Sequence, residues 1–111
     1  MELLLELQRK QKDLERSIKE LRRSGTALAT AEHDYKVLLR VECLRLRDEG
    51  MAIGMIDKTC YGIPEVAKAR FDRDVADTVY RANLEAINAI KLQLRLIEGQ
   101  INREWGSNNA D

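Results

Sequence analysis

Long apolar runs, proline, aromatic residues and net charge are what this chain has least of. No uninterrupted apolar stretch exceeds three residues, as at Leu3 to Leu5 and Val37 to Leu39, whereas a bilayer-spanning helix needs roughly 20. A membrane-embedded protein is therefore not expected. Two cysteines, one proline and six glycines among 111 residues exclude a disulfide scaffold and a collagen-like repeat. The N-terminus, MELLLELQRK, lacks the basic start, apolar core and small-residue cleavage site of a secretory signal. A cytoplasmic setting follows, in which Cys43 and Cys60 are expected as free thiols. Nineteen Lys and Arg balance nineteen Asp and Glu, so there is no basic excess to displace counterions from phosphates. That disfavours a general nucleic-acid binder.

What the chain does have is 44% apolar and 34% charged residues, the profile of a helical or coiled-coil protein. Punctuation concentrates between Gly50 and Pro64, with long uninterrupted stretches on either side. In the first stretch Leu7, Leu14, Leu21, Leu28 and Tyr35 recur every seven residues. A companion set, four residues on in each heptad, is Leu4, Gln11, Ile18, Gly25 and Glu32, a weaker second seam. The seven-residue register is kept across Ser24-Gly25-Thr26, so the helix is expected to continue through the glycine despite a cost of about 1 kcal/mol relative to alanine. From Val37 to Leu46 two apolar faces emerge: Val37, Val41 and Leu44 on one side, Leu39, Cys43 and Leu46 on the other. One can meet a partner helix, and the other needs the connector or a second subunit.

Gly50 stands where a left-handed helix cap is expected, after basic residues that suit the end of a helix dipole. The connector MAIGMIDKTCYGI is apolar for a loop, and a short helix from about Met55 to Tyr61 is expected in it, ended by Gly62. Pro64 and Glu65 then suit the first turn of a last helix. Its seams are Tyr80, Ile87, Leu94 and Ile101 together with Ala76, Asn83, Ile90 and Ile97, an unbroken alternation of three and four. Asn83 in that seam would either fix register or association state or stand as an ordinary asparagine at the solvent edge.

The expected architecture is all-α: a single domain over residues 1–105, a long antiparallel coiled-coil-like hairpin with helices over about 2–49 and 64–105, a tip over 50–63, and a disordered polar tail over 106–111. Two helices each bury only a stripe, so assembly into a helical-bundle homo-oligomer is expected. The core or oligomer seam is assigned to Leu7, Leu14, Leu21, Leu28, Tyr80, Ile87, Ile90, Leu94, Ile97 and Ile101. Met51, Ile53, Met55, Ile56, Tyr61 and Ile63 at the tip are the candidate partner-binding residues.

No constellation for catalysis stands out. There is no glycine-rich phosphate loop, nucleophile elbow or HExxH pattern, and His33 stands alone. No enzyme, cofactor or metal site is expected. Asp72, Asp74 and Asp77, with Glu42 or Asp48 approaching from the opposing helix, are spaced like the magnesium ligands of all-helical nucleotide hydrolases, the weakest of the functional readings. Arg40, Arg45, Arg47, Lys58, Lys68, Arg70 and Arg73 surround a tip that superficially resembles a helix-turn-helix. A DNA-binding accessory role is the alternative they support, although nearby acids nearly cancel them.

From Ala31 to Trp105 the chain resembles small helical proteins of bacteriophages and prophages of Gram-positive bacteria, chiefly in RDEG (Arg47 to Gly50), YGIPEVA (Tyr61 to Ala67) and REW (Arg103 to Trp105). The resemblance implies a non-catalytic accessory role in a host cytoplasm, through an unidentified host or phage protein and near replication, recombination or defence. It assigns no functional residues.

Overall fold

The computed structural model describes residues 2–108, with side chains to residue 106. These form three helices: α1 (Glu2–Asp48), α2 (Ile53–Tyr61) and α3 (Pro64–Asn108). The described residues contain no strand. Among the described residues no helix is long and apolar enough to cross a membrane.

α1 runs unbroken through Gly25. A Cβ at that position would lie 3.3 Å from Cε1 of Tyr80, so the glycine leaves room for the ring of the opposing helix. α1 ends in a two-bond cap: the Met51 amide donates to the Leu46 carbonyl at 3.1 Å and the Gly50 amide to the Arg47 carbonyl at 3.0 Å. Gly50 takes φ +90°, the left-handed position this motif requires, and Met51 packs on the cluster containing Leu46. α2 starts at Ile53, two residues before the expected Met55. Extended Ala52 offers its carbonyl to the Met55 amide at 2.9 Å, so the turn forms earlier and Gly54 lies inside the helix. At the entry to α3 the Ile63 carbonyl accepts from the Ala67 amide at 2.9 Å, which puts Pro64 in the first helical position, where its missing N–H costs nothing. α3 then continues through Gly106 to Asn108. The expected polar tail thus begins no earlier than residue 109, since no proline or competing cap stops the helix after Trp105; residues 109–111 lie outside the described residues.

The chain packs as two compact units, Met1–Arg23 with Arg81–Asp111, and Ser24–Tyr80. In the first, α1 and α3 segments pair with Ile87 and Ile97 buried, and Leu7, Leu14, Leu21, Ile90, Leu94 and Ile101 half-buried. The Asn83 side-chain amide donates to the Glu20 carbonyl at 3.4 Å, a polar contact between these two segments. In the second unit Gly25 meets Tyr80, Tyr35 meets Arg73 and Leu46 clusters with Val66, an antiparallel progression. Its core is Tyr35, Leu46, Ile56, Cys60 and Val66, with Leu38, Leu39, Cys43, Met51, Ile63 and Ala69 packed around them.

Burial along α1 widens the second seam and corrects its first two members. Leu7, Leu14, Leu21, Leu28 and Tyr35 are turned inward as expected; of the expected second seam Ile18, Gly25 and Glu32 are half-buried and Leu4 and Gln11 exposed, and beside it Leu3, Lys10, Ser17, Ser24, Ala31 and Leu38 are all buried or half-buried. Small side chains make up much of this seam, and Ser24 is buried. Small residues admit a close approach of the partner helix, so burial there does not require hydrophobicity. On α3 the inward set extends N-terminally from Ala76 through Arg73 and Ala69 to Val66.

Candidate functional site

The apolar connector is a folded cap. α2 is held on unit Ser24–Tyr80 by Ile56 and Cys60, both in the core. Leu39, Cys43 and Leu46 of α1 meet this cluster, so α2 covers one of the two apolar faces of that helix. The six candidate tip residues separate accordingly. Ile56 is buried, so it anchors α2 from within and offers no partner surface, because its spacing of four from Cys60 turns both toward the core. Met51 and Ile63 are half-buried against the same cluster. Ile53, 83% exposed, Met55 and Tyr61 point outward.

The second face of α1 is uncovered. Val37, Val41 and Leu44 are each 42–54% exposed, and at 100° per residue they lie roughly opposite the inward Tyr35, Leu38 and Glu42. On α3, Phe71, Val75 and Val79 are also exposed and lie opposite Val66, Ala69 and Arg73. In unit Ser24–Tyr80 each long helix therefore carries an inward seam and an outward apolar stripe.

Most of the cations around the tip are engaged. Arg45 donates to Glu42 at 2.7 Å and to Glu49 at 2.8 Å; the hydrogen bonds to these carboxylates raise its guanidinium above the ordinary arginine range. Lys68 pairs with Asp72 at 3.1 Å. Arg70 lies 5.8 Å from the Tyr61 ring centre. Arg73, in the inward seam, pairs with Asp74 at 2.8 Å and stacks 4.7 Å from the centre of buried Tyr35. Its bond to Asp74 likewise raises its pKa. Arg40, Arg47 and Lys58 are exposed, and Arg40 and Arg47, seven residues apart, share one side of α1.

The carboxylates of the hydrolase reading do not converge. Asp72, Asp74 and Glu42 each face a cation of their own helix. Among the described residues no three His, Cys, Asp or Glu side chains are placed to hold a metal ion. In the other unit a groove of about 280 Å³ runs between Asp13, Arg16, Ser17 and Glu20 on α1 and Asn83, Ala86 and Ile90 on α3. His33 pairs with its neighbour Asp34, at 3.2 Å, on an exposed surface.

One pair was not legible from spacing. Cys43 and Cys60, on α1 and α2, have their sulfurs 3.2 Å apart. Cys60 has no exposed surface, and its thiol also points at the Leu39 carbonyl, 3.6 Å away. Burial, and then the neighbouring Cys43 thiol, push the Cys60 pKa up to about 11. Cys43 falls on the Leu39–Leu46 face of α1 and Cys60 on the Ile56 face of α2; only the docking of those two faces brings them together. Comparison with protein-family models, curated proteins and solved structures returns no match for this chain.

Proposed function

We propose that this chain is a non-catalytic accessory protein, of the kind carried by bacteriophages, that acts as a helical homo-oligomer and engages a partner protein through its tip. The observation that carries the reading is the pair of outward stripes, Val37, Val41 and Leu44 on α1 and Phe71, Val75 and Val79 on α3. Apolar side chains at 3–4 spacing on an exposed helix face mark an interaction surface. Because each stripe lies opposite the inward seam of its own helix, two copies would associate through one stripe apiece and leave the other stripe for a further copy. Ile53, Met55 and Tyr61 on α2 would then remain for a different partner.

Sedimentation equilibrium over the micromolar range tests self-association. A dimer or higher species is expected, reduced to monomer by Val41→Glu combined with Val75→Glu with helical circular dichroism retained. A wild-type monomer throughout refutes the reading. Partner engagement is tested by affinity capture, in which Ile53→Glu with Met55→Glu should abolish recovery of a specific protein while leaving self-association intact.

A further inference from the structure

We propose that Cys43 and Cys60 form a reversible intramolecular disulfide that clips α2 to α1, with a low-molecular-weight disulfide of the glutathione type as oxidant. The sulfurs are 3.2 Å apart across two helices. A disulfide bond is about 2.05 Å, so closure requires a shift on the order of 1 Å, the scale of a torsion adjustment at the two side chains. The contact is enforced by packing, because Cys60 lies in the core with Ile56 and Val66, and Cys43 packs on that cluster. No further His, Cys, Asp or Glu joins them in a metal-binding group of three or more among the described residues.

Accessibility assigns the order of events. Cys43 is half-buried and Cys60 fully buried, so a dissolved oxidant meets Cys43 first. The Cys43 thiolate attacks one sulfur of the small disulfide, forming a mixed disulfide and releasing one small thiol. The Cys60 sulfur attacks Cys43 Sγ and gives its proton to the departing small thiolate; the Cys43–Cys60 bond forms and the second small thiol leaves. Two electrons pass from the protein pair to the small disulfide, which is reduced to two thiols. Cys60 has no exposed surface, which shields it from outside oxidants, so its partner is the mixed disulfide carried 3.2 Å away on Cys43. The clip stands independently of what docks on the tip.

The test equilibrates the reduced, full-length chain with glutathione redox buffers, folded and in denaturant, followed by acid quench, alkylation, intact mass and peptide mapping. The expected native product is a single chain lighter by two hydrogen atoms, with Cys43 linked to Cys60. The effective concentration of the pair should be on the order of tenfold or more above that of the denatured chain, since folding and the bond favour one another. Cys60→Ser should stop at a mixed disulfide on Cys43. Two thiols still reduced, glutathione on both, crosslinks between chains, or equal effective concentrations folded and unfolded would each overturn the proposal. The wild-type comparison decides by itself if the variant fails to fold.

Discussion

Replacing Gly50 and Gly54 by alanine, one at a time, separates backbone conformation from sterics within four residues of chain. A Cβ at either position would meet nothing within 4 Å, so neither substitution creates a clash or a new contact. The difference is that Gly50 holds φ +90° in the cap of α1, while Gly54 lies inside α2 with no positive φ. An L-residue in the left-handed region costs about 1–2 kcal/mol, and alanine in place of a helical glycine gains about 0.5–1 kcal/mol. With an unfolding entropy of about 2.1 cal/mol/K per residue over 111 residues, Gly50→Ala should lower Tm by about 4–9 °C, and Gly54→Ala should raise it by about 2–4 °C. Gly50→Asn should lose less than alanine, because asparagine tolerates this region. Thermal and urea unfolding followed by circular dichroism at 222 nm, at one fixed protein concentration, reads all three. A Gly50→Ala chain as stable as wild type, or shifts of the same sign at both glycines, would refute the cap assignment and with it the placement of Met51 against Leu46.

Three further outcomes follow from the core of the same unit. Val66 has no exposed surface, so Val66→Ala should cost about 2 kcal/mol from lost burial and the residual cavity, read as a lower urea midpoint at unchanged slope. The Arg73–Tyr35 stack, at 4.7 Å with a largely buried ring, should give a coupling of about 1 kcal/mol in a double-mutant cycle with Arg73→Gln and Tyr35→Leu; a coupling near zero would show that the two pack without attracting. Cys60 carries an ordinary thiol value of 9.0 raised to about 11 by burial and then by the Cys43 thiol. The folded chain therefore keeps a proton that the unfolded chain releases above pH 9, so this contribution is complete below that pH and lost as pH rises to about 11. Under reducing conditions, urea midpoints should fall across that window, and Cys60→Ala should flatten the fall.

Sequence periodicity locates α1, α3 and their leucine and isoleucine seams because large apolar residues repeat every seven positions there, and the resulting stripe must be buried. It places Gly50 and Pro64 correctly because each is tied to local backbone geometry, a positive φ in one case and a missing N–H in the other. It finds Ile18, Gly25 and Glu32 of the second seam of α1 but misses the neighbouring Lys10, Ser17, Ser24 and Ala31, because small and polar side chains carry little hydrophobic signal. Their burial reports close helix approach, for which the legible sign was a seven-residue recurrence of small side chains beside Gly25. It places the start of α2 late because Gly54 reads as a breaker, whereas a short helix packed through Ile56 and Cys60 gains more from burial than one glycine costs. Ile56 could not be told from Ile53 by composition; only the docked face of α2 divides the anchor from the surface.

That division bears on how the tip would work. An exposed isoleucine on a loose loop would lose conformational entropy on docking, which lowers affinity. Here Ile53, Met55 and Tyr61 stand on a helix whose approach is fixed by the cap at Gly50, whose exit is fixed by Pro64 at the first position of α3, and whose inner face is buried through Ile56 and Cys60. The side chains offered outward are thus preorganised by those turned inward. A Cys43–Cys60 bond would tighten the same frame: the two residues are 17 apart, and closing a loop of that size removes about 3 kcal/mol of unfolded-state freedom. Oxidation would leave the outward side chains chemically unaltered and change only how firmly their helix is held, so any redox effect on partner binding at the tip should disappear in a Cys43→Ser chain.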